Sequence, residues 1–196
     1  MKRISESDAR IDLVRYGRRL VQAELVQGTW GNLSVRLDDN YMLTTPSGLD
    51  YQLVKPADMV KVDIETLTYG EGGRKPTSEK GLHGAIYELR KDVGAVIHAH
   101  SLYCSVFAAA RIPLQVSDPE LQKLTGELLY VADYGIAGSK RLAENVIKAL
   151  GDRPGCIMSN HGMVCCGKDL EDAFRRALAM EEAARQFIEN RWEERQ

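Results

Sequence analysis

Between Val93 and Ser101 the chain reads Val-Gly-Ala-Val-Ile-His-Ala-His-Ser, and no other stretch constrains the fold as tightly. An apolar, β-branched run of this kind reads as a strand, here ending in His98 and His100 with one alanine between them. Residues two apart on a strand project to the same face, so both imidazoles emerge side by side where the strand leaves the core. Open α/β sheets put their sites at such strand ends. Two neutral imidazoles on one face are half of a divalent-metal site, and the other half must come from elsewhere in the chain.

Helices and strands mix on either side of this run. In residues 7–27, Leu13, Tyr16, Gly17, Leu20, Val21 and Leu25 have the spacing of an amphipathic helix, capped by Ser7 or Asp8 and stopping at Gly28. The turn-forming Gly28-Thr29-Trp30-Gly31-Asn32 runs into an alternating strand. Residues 43–48 read as a strand ending in a Pro-Ser-Gly turn, and residues 59–64 alternate again before a hairpin at 66–69. Pro76-Thr77-Ser78-Glu79 opens a helix, with Thr77 or Ser78 as cap, Glu79 in its first turn, and Leu82, Ala85, Ile86 and Leu89 as its buried stripe. Ser101 can cap a short helix through Ala110, and residues 111–122 are irregular. A strand at 128–132, a helix at 139–150, a strand at 155–159 and the tight turn Asn160-His161-Gly162 follow. Residues 163–167 extend from that turn, and a long helix capped near Asp169 carries Leu170, Ala173, Phe174, Ala177, Leu178, Ala184, Phe187 and Ile188. The mixture predicts a single α/β layered domain over residues 1–196.

Composition excludes several partners. The 196 residues are 44% hydrophobic and 28% charged with a net charge of −2, which gives no electrostatic reason to bind nucleic acid or an anionic membrane. No apolar run approaches the ~20 residues of a membrane span, and the charged start lacks a signal-peptide core. Cys104, Cys156, Cys165 and Cys166 contain no Cys-x-x-Cys pair, and neighbouring Cys165 and Cys166 face opposite ways on a strand. Free thiols and a cytoplasmic location are expected.

The chain has four histidines: His83, His98, His100 and His161. With His161 in its Asn-His-Gly turn, the His-x-His pair becomes a set of three nitrogen ligands, and Glu79 could add an oxygen. Taken alone, such histidines read equally well as core or surface residues. His83 falls one helical turn after Glu79 and could be a fourth ligand, a partner behind the ligands, or a solvent residue. The turns at 28–32 and 45–48 and the helix start at Thr77-Ser78 offer small polar side chains beside exposed N–H groups. Together they would cradle an anion, most naturally a phosphate.

Gly28-Thr29-x-Gly31-Asn32-x-Ser34, Thr45-Pro46-Ser47-Gly48, Pro76-Thr77-Ser78-Glu79, His98-Ala99-His100 and Asn160-His161-Gly162 stand in the order and spacing of the class II aldolase/adducin family. Within it the chain resembles the zinc-dependent sugar-phosphate aldolases of the fuculose-phosphate type, over nearly its full length. The resemblance implies a three-layer α/β/α domain with a mixed central sheet, assembled as a homotetramer with sites at subunit borders. It implies that His98, His100 and His161 bind one Zn2+ per subunit, or Mn2+ in its place. Glu79 would ligate the resting metal and then act as acid/base. Thr29, Asn32, Ser47, Gly48, Thr77 and Ser78 would hold the substrate phosphate.

Three neutral histidines leave the ion doubly positive, able to polarise a ketone and its neighbouring hydroxyl and to stabilise the enediolate left when a carbon–carbon bond breaks. No Schiff-base lysine is then needed. The expected reaction is retro-aldol cleavage of a ketose 1-phosphate to dihydroxyacetone phosphate and an aldehyde. The family's aldolases place a tyrosine proton donor in the loop corresponding to residues 116–122, which here reads Val-Ser-Asp-Pro-Glu-Leu-Gln. Glu120, or Asp118, is the residue available instead, and the family's dehydratases use a glutamate in that region. Dehydration or decarboxylation of a related sugar phosphate or sugar acid is therefore the alternative. A non-catalytic, adducin-like interaction module ranks last, because it expects loss of the histidines.

Overall fold

The apolar run at 93–101 becomes the middle of a sheet. The computed structural model describes residues 4–193. In chain order these form α1 (Glu6–Gln22), β1 (Asn32–Arg36), β2 (Tyr41–Thr44), β3 (Val60–Asp63), α2 (Lys80–Leu89), β4 (Ala95–Ala99) and α3 (Leu102–Ala110). There follow β5 (Leu114–Gln115), α4 (Pro119–Thr125), β6 (Leu128–Leu129), β7 (Val131–Ala132), α5 (Lys140–Leu150), β8 (Gly155–Met158), β9 (Gly162–Gly167) and α6 (Leu170–Glu193). Seven strands join in the order β3-β2-β1-β4-β9-β8-β7, while β5 and β6 pair separately. Every pairing in the large sheet is antiparallel except β7 with β8, so the sheet is mixed.

β4 is buried at all five positions because both sheet faces are covered. Ala95, Ile97 and Ala99 pack into a core with Leu13 and Leu20 of α1, Phe107 of α3 and Phe174 of α6. Val96 faces the other way, into a second core with Leu82 and Ile86 of α2 and Leu142 and Val146 of α5. Cys165 and Cys166 divide between the same two cores, and all four cysteines are free and buried. The expected three layers are present. No helix among the described residues is long and apolar enough to cross a membrane.

The register positions the site. Asn32 at the start of β1 stands opposite His98, and Met163 near the start of β9 stands opposite Ala99. Because these pairings are antiparallel, the end of β4 meets the beginnings of β1 and β9 at one rim of the sheet. Gly162 permits that approach: a Cβ there would collide with the Ala99 carbonyl. Gly31 has φ +86 and would place a Cβ 2.7 Å from the His98 carbonyl, so the turn before β1 also requires glycine.

Several local expectations change. α1 is capped by Ser5, whose side chain accepts from the Asp8 N–H, and it ends at Gln22 rather than near Gly28. Glu24 takes a left-handed conformation, and the Leu25 N–H returns to the Leu20 carbonyl at 3.0 Å. Residues 111–127 are ordered, because Asp118 caps α4 by accepting from the Glu120 N–H. The strand expected at 128–132 divides into β6 and β7, which belong to different sheets. On α2, Glu79 is the cap position itself, and the buried face is Leu82, His83, Ile86 and Tyr87. Leu89, expected inside, is 58% exposed.

Candidate active site

At the sheet rim three imidazoles converge. His98 arrives on β4, His100 one step beyond its end, and His161 on the turn into β9, held by its N–H to the Met158 carbonyl at 3.0 Å. Asn160 supports that turn with a positive φ of 55°. One ligand-capable nitrogen from each histidine lies within 4.8 Å of the others. His98 is fully buried, while His100 and His161 are partly buried.

The hydrogen bonds say what faces the centre of the cluster. His98 Nδ1 lies 2.8 Å from the Met163 carbonyl oxygen, which only accepts, so Nδ1 carries a proton and Nε2 is the nitrogen turned into the cluster. That Nε2 stands 2.8 Å from His100 Nε2 and 3.1 Å from Glu79 Oε2. Glu79 Oε1 lies 3.6 Å from His161 Nε2 and has no hydrogen-bond partner although buried. Burial pushes Glu79 up, but attraction to His98 and His161 and the Asn32 hydrogen bond outweigh it and hold the carboxyl below its usual range. Burial holds His100 down to about 4, and burial with repulsion from His98 lowers His161. Imidazole nitrogens aimed at one point beside a carboxylate form a compact nitrogen and oxygen donor set. A divalent cation satisfies such a set.

Next to this cluster lies a cavity of about 270 Å³, lined by Thr29, Asn32, Ser47, Gly48, Thr77 and Ser78, by Glu79, and by His100 and His161. The three polar turns expected to form an anion cradle are thus brought together with the histidines. The Ser47 N–H bonds the Lys75 carbonyl at 2.9 Å and the Thr77 N–H bonds the Thr45 carbonyl at 3.0 Å, which joins the second turn to the helix start. Thr77 Oγ1 accepts from the Glu79 N–H at 3.2 Å. Gly138 sits so close to the Ser78 carbonyl that a Cβ there would lie 2.7 Å from it, and this contact brings Ala137 to the cavity wall. Asn32 gives one amide hydrogen to Glu79 Oε2 and keeps a second.

Glu120 is not brought to this site within the chain. It stands on α4 with a side chain 77% exposed, paired with Lys123 at 2.6 Å. Asp118 is committed to the α4 cap. Two contributors were not foreseen. Trp30 is 63% exposed yet lines the cavity, its ring centroid 5.8 Å from that of His100. A tryptophan inside a Gly-Thr-x-Gly turn cannot be core, and that was the readable signal. Glu181 of α6 accepts from the Ser101 hydroxyl at 2.6 Å and from the Tyr103 and Cys104 N–H groups at 2.7 and 2.9 Å. It caps α3 in place of Ser101 and fixes the chain directly after His100.

His83 is wholly buried and stands outside the histidine cluster. Burial holds it down to about 4, so the unfolded chain takes up a proton on this ring at higher pH than the folded chain does. Its contribution to stability is present in full above about pH 6.5 and is lost as the pH falls toward 4, by up to about 3 kcal/mol. Urea midpoints of the metal-free protein measured between about pH 7 and 4.5 should therefore fall less steeply in His83→Gln than in wild type. Equal slopes would rule this contribution out.

Known proteins share this chain's sequence pattern and fold. The sequence model of the class II aldolase and adducin N-terminal domain matches residues 11–188. The chain is 35% identical over 174 residues to an L-fuculose phosphate aldolase of Methanococcus maripaludis, an alignment covering 88% of this chain and 92% of that protein. It is also 35% identical over 177 residues to the 5-methylthioribulose-1-phosphate/5-deoxyribulose-1-phosphate aldolase of Rhodospirillum rubrum, covering 89% and 78%. A solved L-fuculose 1-phosphate aldolase superposes with a TM-score of 0.90 at 36% identity, over 96% of this chain and 88% of its own.

Proposed function

This chain belongs to the class II aldolase and adducin family, and on that footing we propose that it is a zinc-dependent lyase cleaving a ketose 1-phosphate to dihydroxyacetone phosphate and an aldehyde. The observation that carries the reading is the shared cavity, lined by three polar turns, a buried carboxylate with one free oxygen and two histidines of the three-nitrogen cluster. His98, His100 and His161 would hold Zn2+, or Mn2+, with Glu79 beside it at rest. A bound ion supplies Lewis acidity toward the substrate's ketone and neighbouring hydroxyl.

The chain's own groups account for the rest. Thr29, Asn32, Ser47, Gly48, Thr77 and Ser78 bind the phosphate through hydroxyls, the second Asn32 amide hydrogen and backbone N–H groups, and so set the register of the sugar. Glu79, ionised and held at Oε2 by Asn32, takes or returns a proton at Oε1. Glu120 would act from a neighbouring copy, since its own chain keeps it in solvent. It would take the proton from the hydroxyl that becomes the aldehyde carbonyl and return it in the reverse, condensation direction. A homotetramer with sites at subunit borders fits that arrangement. It also fits the apolar groove between α3 and α6, where Val106, Ile112 and Trp192 are exposed. Four free thiols fit a cytoplasmic enzyme.

A second reading has one observation in its favour. Residues 116–122 lack a tyrosine and offer Glu120, so the same site could end in dehydration or decarboxylation of a related sugar phosphate or sugar acid. A panel of ketose 1-phosphates, including 6-deoxy, 5-deoxy and 5-methylthio sugars, distinguishes the two with zinc-loaded protein. Dihydroxyacetone phosphate as product supports cleavage. A dehydrated or decarboxylated product without it supports the alternative.

A further inference from the structure

Behind Glu79 runs a buried line of polar side chains. Asn32 Nδ2 lies 2.9 Å from Glu79 Oε2, and Asn32 Oδ1 lies 2.6 Å from His83 Nε2. On the other edge of the ring, His83 Nδ1 lies 2.6 Å from Ser34 Oγ, which lies 2.8 Å from the Tyr87 hydroxyl. Ser34, His83 and Tyr87 are wholly buried, and Asn32 and Glu79 nearly so. The spacing explains the alignment. Glu79, His83 and Tyr87 follow one another at four-residue steps on one side of α2, and Asn32 and Ser34 share one face of β1.

One end of the line fixes every hydrogen in it. An ionised carboxylate only accepts, so Asn32 turns its NH2 group to Glu79 and its carbonyl oxygen to His83. That oxygen needs a donor, which puts the His83 proton on Nε2 and leaves Nδ1 bare. Nδ1 accepts from Ser34, and the Ser34 oxygen accepts from Tyr87. A reversed Asn32 amide would set its oxygen against the carboxylate with nothing to offset the repulsion. The line therefore holds Oε2 of Glu79 and leaves Oε1 without a partner, on the side of His161.

We propose that His83 is a positioning residue that acts through Asn32 to decide which Glu79 oxygen is held and which is free to exchange a proton with the substrate. This rests on the reading of Glu79 as the acid/base. Two variants separate it from a packing role. His83→Leu keeps an apolar side chain in the space and removes both nitrogens, whereas His83→Gln keeps an N–H within reach of the Asn32 oxygen.

On zinc-loaded enzyme with the ketose 1-phosphate it cleaves fastest, His83→Leu should lower kcat by about 10- to 100-fold. KM should stay within about twofold, and His83→Gln should recover kcat to within about threefold of wild type. A folded His83→Leu with wild-type kcat, or an equal loss in both variants, would overturn the proposal. Nitrogen-15 NMR of the metal-free wild type gives a readout without turnover. A protonated Nε2 and bare Nδ1 on His83 support the proposal, and the opposite tautomer overturns it even if the leucine variant does not fold. Failure of the wild type to cleave any sugar phosphate would count against the lyase reading instead, and the tautomer would still decide the hydrogen-bonded line.

Discussion

Glu79→Gln is expected to lower kcat by about 10²- to 10⁴-fold, the range typical of losing a positioned acid/base, while the protein still binds zinc. The substitution preserves shape and removes charge. Asn32 would hold the new side-chain oxygen where Oε2 now sits, 2.9 Å from Nδ2, which forces the amide NH2 into the position of Oε1. That is the oxygen without a partner, and an NH2 there cannot take a proton. The three histidine nitrogens are untouched, so zinc content should be retained. The polar turns proposed to hold the phosphate are also untouched, so KM should change little. Steady-state kinetics with metal analysis on the same preparation checks all three. Full activity in this variant would remove Glu79 from the chemistry.

The second large effect is loss of the metal itself. His161→Ala removes one of three converging nitrogens, and the other two come from a single strand end. Zinc content should fall to background and turnover with it. Stability gives an independent check, because an ion that binds only the folded chain stabilises it. At a thousandfold excess over Kd the gain is about 4 kcal/mol, or roughly 10 °C for a chain of this size. Added zinc should therefore raise the wild-type Tm by about that much and leave the His161→Ala Tm nearly unchanged. An equal rise in both would mean that the ion binds elsewhere.

How much of this could be read from sequence depended on how local each cause was. The two imidazoles of His98 and His100 were legible because strand alternation alone sends both to one side. The polar turns that line the cavity were legible because Thr29, Ser47 and Ser78 each lie in a turn or cap with its own signature. The third histidine of the cluster, His161, was a candidate only as a histidine in a turn. What makes it a neighbour is the β4–β9 pairing, across 60 residues of chain.

Other features were hidden for the same reason. The stripe of α2 was expected on Leu82, Ala85, Ile86 and Leu89, since apolar spacing favours it. The helix instead turns His83 and Tyr87 inward, because Asn32 and Ser34 of β1 offer partners there and Leu89 is left exposed. A polar pair can occupy a buried face only when the opposite element satisfies it, and one helix does not reveal its opposite. Glu181 as the cap of α3 and the order within residues 111–127 likewise depend on contacts made far along the chain. Glu120 remains where its own sequence puts it, paired with Lys123 in solvent.

Glu79 and the histidine cluster together are proposed to form a proton-transfer centre for a phosphorylated ketone. Incubation of zinc-loaded protein with dihydroxyacetone phosphate alone in D2O tests it without any aldehyde. The wild type should exchange one hydrogen on the hydroxymethyl carbon, and Glu79→Gln none. No exchange in the loaded wild type, or equal exchange in the two proteins, would contradict it.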